Sequence, residues 1–252
     1  MKDPRDDRAE IPTPITYDAS LRERITANLG SHRRREIALD GKRHAAVAIV
    51  LVDSEPGEAR VDSLGPDGAP AHDATLLNAG PEGSAEGASG GAAFLLCRRP
   101  PTMNRHPGQY ALPGGRIEPG EGVVEAALRE TREEVGVTLD AGDVLGLLDD
   151  YETRSGFVMT PVVVWAGART ELVPDPVEVH TVYRVGLHQL QRRDSPRFAV
   201  IPESDRPVVA VPLGGALVHA PTAAVLVQLN GLALLGRSDS VQHYEQPVFA
   251  WS

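Results

Sequence analysis

The sequence predicts an α/β fold in which a mixed β-sheet is covered by helices on two faces. Apolar runs rich in β-branched residues at 45–52 and 92–98 predict two buried strands. A helical pattern follows at 121–135, and another apolar strand pattern follows that helix at 157–165. A mostly apolar run at 221–235 predicts a late buried helix. Strands therefore lie on both sides of a central helix along the chain, which is typical of this fold class.

The remaining elements are predicted in chain order. Residues 21–29 predict a short helix within an N-terminal extension, helical and charged, that covers residues 1–44. The main domain then covers residues 45–252. Within it, residues 54–91 are rich in Gly, Pro, Ala and acidic side chains without a strand or helix period, which predicts a long flexible insertion. Further predictions are a Pro- and Gly-rich loop at 100–115 and strands at 144–148 and 179–185.

Composition restricts the classes of function. The chain has 252 residues and a formal net charge of −10, which argues against nucleic-acid binding through its overall field. An anionic small molecule would need local arginines or divalent cations to offset the repulsion. We expect no membrane span, because the apolar run at 45–52 is far shorter than a bilayer requires. The single cysteine excludes an intrachain disulfide and fits a cytoplasmic location.

The central helix carries a cluster of acidic residues. Glu130, Glu133 and Glu134 are spaced i, i+3 and i+4, so they share one face. Neighbouring carboxylates repel one another, and a solvated helix gains nothing from clustering them. A hard divalent cation such as Mg²⁺ explains the cluster, because it prefers oxygen ligands. A different face is predicted to be the core stripe of the helix, and it comprises Val124, Leu128, Thr131 and Val135.

Residues around this helix support a cation site. Gly114 and Gly115 permit a tight turn beside the helix, where a backbone carbonyl could complete the metal shell. Arg129 precedes Glu133 by one turn and is expected to pair with it and orient it. Ala126 and Ala127 are expected to flank the acidic face and to leave room there for a phosphate.

Residues 115–137 resemble the Nudix box at every fixed position, with Thr131 where an aliphatic residue is usual. The resemblance implies an α/β/α sandwich and hydrolysis of a nucleoside diphosphate linked to another group. It implies Mg²⁺ or Mn²⁺ as cofactor, held by Glu130, Glu133, Glu134 and the carbonyl of Gly114. One glutamate of this set, or a later one such as Glu178, would activate the attacking water.

The segment before the box is similar to the coenzyme A diphosphatase branch of the same family. Arg99, Gly108 and residues 113–115 match in type and spacing, and residues 219–224 and 245–251 also look like that branch. Departures stand at Cys97, Pro100, Asn104 and Leu112. Guanidinium groups suit the phosphates of such a ligand. The expected substrate-binding residues are Arg98, Arg99, Arg105, Gln109 and Arg116.

Three functions remain open from the sequence. The first is cleavage of coenzyme A or an acyl derivative into 4′-phosphopantetheine and adenosine 3′,5′-bisphosphate. The second is hydrolysis of ADP-ribose or a dinucleotide by the same chemistry. The third is a regulatory domain that binds a ligand without catalysis, although a pure binder does not need crowded carboxylates. The expected partner is a small nucleotide, with no nucleic acid and no membrane, and a homodimer is possible.

Overall fold

The computed structural model describes residues 11–58, 60–64, 89–103, 107–167, 170–213, 216–238 and 240–251. Within them the chain folds around one large mixed sheet, with a helical layer on each face and a small second sheet. The strands of the large sheet follow the order β2-β9-β3-β1-β8-β6. They are β1 (Arg43–Ser54), β2 (Arg60–Asp62), β3 (Gly91–Arg98), β6 (Val144–Leu147), β8 (Phe157–Trp165) and β9 (Thr181–Gly186).

Three short strands join this sheet away from the main path. β4 (Tyr110–Ala111) pairs with β3, β5 (Gly114–Arg116) with β1, and β7 (Tyr151–Glu152) with β8. The loop predicted over 100–115 therefore ends in two short strands, which hold it against the sheet. β1 and β8 run parallel, whereas β1 pairs with β3 and β5 in antiparallel fashion. The sheet is mixed, as predicted.

The central strand β1 contributes side chains to both faces of the sheet. Ile49 and Leu51 belong to the core that packs under α1 (Ala19–Ser31) and α3 (Thr222–Gln228). Ala48, Val50 and Val52 belong to the opposite core, which packs under α2 (Val123–Val135). This alternation is the period of a strand buried on both faces. The predicted α/β/α sandwich is confirmed.

Helix α2 lies against β1 through small side chains. Ala126 and Ala127 are fully buried in the core between helix and sheet. The expectation that they flank the acidic face and leave room for a phosphate is therefore wrong. Their small volume lets the helix approach the sheet closely instead. Thr131 and Val135 are buried as predicted, while Val124 and Leu128 are only partly buried against the same cluster.

The N-terminal segment packs against the rest of the fold. Asp18 caps α1, because its Oδ1 accepts a hydrogen bond from the Leu21 amide at 2.8 Å. Leu21, Ile25 and Leu29 on this helix are buried in the same core as α3. The helix predicted at 21–29 is confirmed, and the extension expected over 1–44 is tied to the main domain along its described part.

Two regions differ from the sequence-based expectation. The insertion predicted at 54–91 contains β2, whose Arg60–Asp62 pairs antiparallel with β9, and residues 65–88 lie outside the described residues. The chain also forms a second sheet that the sequence did not predict. It comprises β10 (Arg197–Ile201), β11 (Ser204–Leu213) and β12 (Ala216–His219). Val209, Val211 and Val218 of this sheet pack into the core under α3.

The late helix is shorter than predicted from 221–235. α3 ends at Gln228 and continues as a π-helical segment over Leu229–Leu234. α3 and the π-helical segment lie between α1 and the second sheet. Residues on nearly every side of them are buried, as the apolar run predicted. Among the described residues, no helix is long and apolar enough to cross a membrane.

Candidate functional site

The first part of the site is the glycine turn, Gly114 and Gly115 at the start of β5, where Gly114 lies against β1 and Gly115 against Glu130 of α2. Gly114 and Gly115 pair with Val47 and Ala46 of β1. A Cβ at Gly114 would lie 2.6 Å from the Cα of Val47, so only glycine fits here. A Cβ at Gly115 would lie 2.6 Å from the carboxyl carbon of Glu130. The turn and the acidic helix face therefore approach each other more closely than any other residue type would allow.

Three carboxylates meet beside this turn. Glu130, Glu134 and Glu178 each offer an oxygen, and these oxygens lie within 4.8 Å of one another. Glu134 is buried, Glu130 is partly buried and Glu178 is exposed. The Gly114 amide donates a hydrogen bond to Glu134 Oε2 at 3.3 Å. Oxygen ligands at this spacing fit a single divalent cation of the Mg²⁺ or Mn²⁺ type.

Backbone hydrogen bonds bring Glu178 to the helix. The amides of Val173 and Asp175 donate to the carbonyls of Val135 and Glu134, at 2.9 and 3.0 Å. A turn then begins at Asp175, whose carbonyl accepts from the Glu178 amide at 3.2 Å. Gly136 ends α2 in the left-handed conformation, with φ 76°, and a Cβ there would contact Val173. The C-terminal end of α2 thus fixes the position of Glu178, which is distant from Glu134 in the sequence.

The electrostatics of the cluster favour a bound cation. Burial, followed by the charges of Glu130 and Glu178, raises the pKa of Glu134 to about 8. Burial also raises the pKa of Glu130, against the lowering effect of Arg129. A pKa of about 8 means that Glu134 is mostly protonated at pH 7 unless additional positive charge lies beside it. A divalent cation among them would supply that charge.

Arg129 holds the outer side of the cluster. Its guanidinium donates to both oxygens of Glu121 at 2.8 and 3.1 Å. It also donates to Glu130 at 2.9 Å, to Glu133 at 3.0 Å and to the carbonyl of Arg116 at 3.1 Å. The predicted pairing of Arg129 with Glu133 is confirmed. One guanidinium therefore connects the helix, the loop before it and a carboxylate of the cluster.

The structure does not bring Glu133 into the carboxylate group. Its side chain is 49% exposed and pairs with Arg129, and with Arg132 at 3.7 Å. Glu178 is the third member instead. The carboxylate group is therefore formed by α2 together with a turn that is distant in the sequence, and not by one helix face alone. Metal ligation by Glu133 and by the Gly114 carbonyl stays a prediction, as does the catalytic role of each acid.

The predicted substrate-binding residues have different environments. Arg99 and Gln109 line one pocket, and the Arg99 amide donates to the Gln109 carbonyl at 3.0 Å. Arg98 is buried, donates to the carbonyl of Gly108 at 3.3 Å and lies over the ring of Tyr110. This placement indicates a structural role for Arg98.

Arg116 is exposed at the end of β5, away from the lining of that pocket. Arg105 lies outside the described residues, with its neighbours 104 and 106. Substrate contacts by Arg98, Arg105 and Arg116 therefore stay predictions.

Arg99 lines the pocket and also acts electrostatically on Glu134. Its charge lowers the pKa of Glu134, although burial and the neighbouring acids outweigh this effect. Its Nε is buried and has no hydrogen-bond partner among the described residues. A buried guanidinium nitrogen without a partner is costly, and an anionic ligand would satisfy it.

The far wall of the pocket comes from residues that sequence reasoning did not select as a site. It is formed by the end of β12, the start of α3 and the C-terminal segment. The sequence did contain one indication of these residues, because residues 219–224 and 245–251 resemble the coenzyme A diphosphatase branch. That resemblance did not indicate that the two segments meet in one pocket. The residues from these segments include His219, Pro221, Thr222, Gln246 and Phe249.

Comparison with known proteins finds similarity to one family of domains. Residues 86–203 match the family model of the NUDIX domain. The chain is similar to proteins described as uncharacterized Nudix hydrolase NudL. One, from Pectobacterium atrosepticum, is 38% identical over 97 residues, which are 38% of this chain and 50% of that protein. One from Yersinia enterocolitica is 41% identical over 88 residues, 34% of this chain and 42% of that protein.

The chain thus spans about half the length of the curated relatives it matches. The chain is also similar to solved structures, at lower sequence identity. A MutT/nudix family protein from Enterococcus faecalis gives a TM-score of 0.44 at 13% identity, covering 83% of this chain and 68% of that one. The MutT protein from Methanosarcina mazei gives 0.37 at 19% identity, covering 64% of this chain and 83% of that one.

Proposed function

We propose that the protein is a metal-dependent diphosphatase that hydrolyses a nucleoside diphosphate linked to another group. The observation that carries this proposal is the convergence of Glu130, Glu134 and Glu178 within 4.8 Å beside the glycine turn. Carboxylates brought so close are electrostatically unfavourable unless a cation neutralises them. The NUDIX domain match and the relatives described as Nudix hydrolases support the same chemistry.

The residues have distinct parts in the proposed mechanism. Glu130 and Glu134 would hold Mg²⁺ or Mn²⁺, and the bound ion would supply positive charge to the diphosphate and make water more acidic. Glu178 is the exposed member of the group, so its carboxylate is accessible to water and accepts the proton of the attacking molecule. Arg129 keeps Glu130 in position through the hydrogen bond at 2.9 Å. Arg99 binds a phosphate oxygen through its unpartnered Nε.

For the substrate we propose coenzyme A or an acyl derivative, cleaved to 4′-phosphopantetheine and adenosine 3′,5′-bisphosphate. The upstream loop and the two late segments resemble the coenzyme A diphosphatase branch. In the fold, Arg99, Gln109, Thr222 and Phe249 from these separate stretches line one pocket. A shared pocket gives a physical reason for their common resemblance, because a ligand that occupies it would contact them all.

The proposal is tested by carboxamide variants of the acidic group. We expect Glu130→Gln and Glu178→Gln to lower kcat for coenzyme A with Mg²⁺ by about 10²-fold or more, because each removes a negative ligand or a proton acceptor. Glu171→Gln is the matched control, since Glu171 is exposed and outside the group. Products are separated by liquid chromatography.

Two results would contradict the proposal. Unchanged rates in Glu130→Gln and Glu178→Gln would remove the carboxylates from catalysis and support a binding domain. Equal kcat/KM for ADP-ribose and coenzyme A in the unaltered protein would retain the diphosphatase chemistry but reject coenzyme A as the preferred substrate.

A further inference from the structure

The pocket beside Arg99 is large enough for part of a substrate and not for all of a dinucleotide-sized one. Its volume is about 300 Å³, at the lower end of ligand pockets. One wall is the loop before the NUDIX box, with Arg99, Gln109 and Tyr110. The opposite wall is the end of β12 and the C-terminal segment, which lie after the matched residues 86–203. Parts of the chain beyond that match therefore complete the pocket.

The mouth of the pocket carries exposed apolar side chains. Phe249 is 55% exposed and Leu217 is 40% exposed, and both line it. They come from separate elements, the C-terminal segment and β12, yet they meet at one opening. Large apolar side chains that converge on a cavity mouth are typical of a ligand-binding surface.

The walls combine apolar surface with neutral polar groups. Val218, Ala220 and Pro221 supply apolar surface, and the side chains of Gln109 and Ser155 add an amide and a hydroxyl. Arg99 is the charged residue among the lining side chains that the structure describes. His219 adds no charge at neutral pH, because burial lowers its pKa. Such a lining suits an uncharged chain that contains amides and is attached to a phosphate at the Arg99 end.

Ring geometry argues against a stacked nucleobase in this pocket. The rings of His219 and Phe249 meet edge to face, with centroids 5.3 Å apart and an interplanar angle of 87°. Two parallel faces that could sandwich a base are therefore not formed by this pair. Tyr110 already contacts Tyr183 edge to face and Arg98 through its ring. A flexible aliphatic chain makes no demand for parallel aromatic planes.

We propose that this pocket binds the pantetheine arm of the substrate, with Phe249 and Leu217 as specificity-determining residues and Arg99 at the junction with the diphosphate. The inference rests on the proposed function. Residues outside the matched NUDIX segment then select the group joined to the nucleotide.

The test measures binding of pantetheine itself to the full chain, by ligand-observed NMR without added metal. We expect Phe249→Ala and Leu217→Ala each to weaken pantetheine binding about tenfold, as loss of an apolar contact in a pocket does. Both side chains are outside the buried core, so both variants are expected to fold. Phe198→Ala is the matched control, because Phe198 is 53% exposed and lies outside the pocket lining.

The outcomes separate this inference from the proposed function. Unchanged pantetheine binding in Phe249→Ala and Leu217→Ala overturns the inference, even if coenzyme A is hydrolysed. If these two variants instead lose binding of adenosine 3′,5′-bisphosphate and keep binding of pantetheine, the inference is also overturned and the pocket is assigned to the nucleotide. Absence of diphosphate turnover with Mg²⁺ contradicts the proposed function, while the pantetheine titration still reports on the pocket.

Discussion

Contact between Gly115 and Glu130 shows how one missing side chain shapes the site. A Cβ at residue 115 would overlap the Glu130 carboxylate, with its carboxyl carbon 2.6 Å away. The glycine is required here by close approach, because its φ does not lie in the left-handed region. Glu130 can therefore reach the carboxylate group only while residue 115 has no side chain.

We predict that Gly115→Ala lowers activity more than stability. The added methyl displaces the Glu130 carboxylate, and a shift of about 1 Å in a reacting group can reduce the rate about 10²-fold. Activity with Mg²⁺ and the urea midpoint are measured on the same preparation. Gly30→Ala is the control, because a Cβ at Gly30 meets nothing within 4 Å. Full activity in Gly115→Ala would show that the close approach is not needed.

At the scale of the element, the guanidinium of Arg129 organises the surface of α2. Arg129 contacts Glu121, Glu130, Glu133 and the Arg116 carbonyl, so the loop before α2 is attached to the helix. The hydrogen bond from Arg129 is also the main cause that lowers the pKa of Glu121. Arg132, on the same helix, has a side chain 60% exposed and one long contact with Glu133.

We predict that Arg129→Ala lowers the affinity for the metal more than it lowers the stability of the fold. Loss of a residue that orients a metal ligand commonly costs about 10–100-fold in metal affinity or activity. The measurement is the Mg²⁺ concentration that gives half-maximal rate, which should rise by about that factor. Arg132→Ala, the matched control, should leave it unchanged. Equal effects of the two substitutions would argue against a positioning role for Arg129.

The same helix shows which part of an element its periodicity can predict. A 100° rotation per residue correctly placed Thr131 and Val135 toward the core. It could not indicate that Ala126 and Ala127 are fully buried between the helix and the sheet, because small residues have little effect on an apolar stripe. How closely the helix approaches the sheet depends on the side chains of both.

For the whole molecule, Glu245 links the second sheet to the large one. Its carboxylate is fully buried and accepts hydrogen bonds from Arg154, which lies between β7 and β8, and from Arg206 and Ser204 of β11. Although burial raises its pKa, these hydrogen bonds outweigh that effect and hold the pKa well below its ordinary value. The carboxylate is therefore charged at neutral pH and stabilises the joined sheets.

We predict that Glu245→Gln destabilises the protein by about 2 kcal/mol at pH 7, less than a fully buried pair, because both arginines remain about 40% exposed. A depressed pKa in the folded state contributes stability above the unfolded value, and this stability is lost as pH falls below about 4. The difference in unfolding free energy between Glu245→Gln and the unaltered chain should therefore shrink in acid. Urea titrations at pH 7 and pH 3 measure it, with the exposed Glu203→Gln as control. A difference that does not change with pH would contradict the assignment.

The sequence by itself determined the local parts of this protein. The strand at β1, the acidic helix α2, the glycine turn before it and the pairing of Arg129 with Glu133 all follow from short-range periodicity and spacing. These features depend on residues within a few turns of one another, where helix and strand geometry is fixed.

Only the tertiary structure decided which distant groups meet. It placed Glu178 rather than Glu133 beside Glu130 and Glu134, because backbone hydrogen bonds attach the 173–179 segment to the end of α2. It also brought His219 and Phe249 to the pocket beside Arg99, and formed the second sheet from residues 197–219. Such contacts join residues far apart in the chain. They arise from the packing of whole elements, which local spacing does not specify.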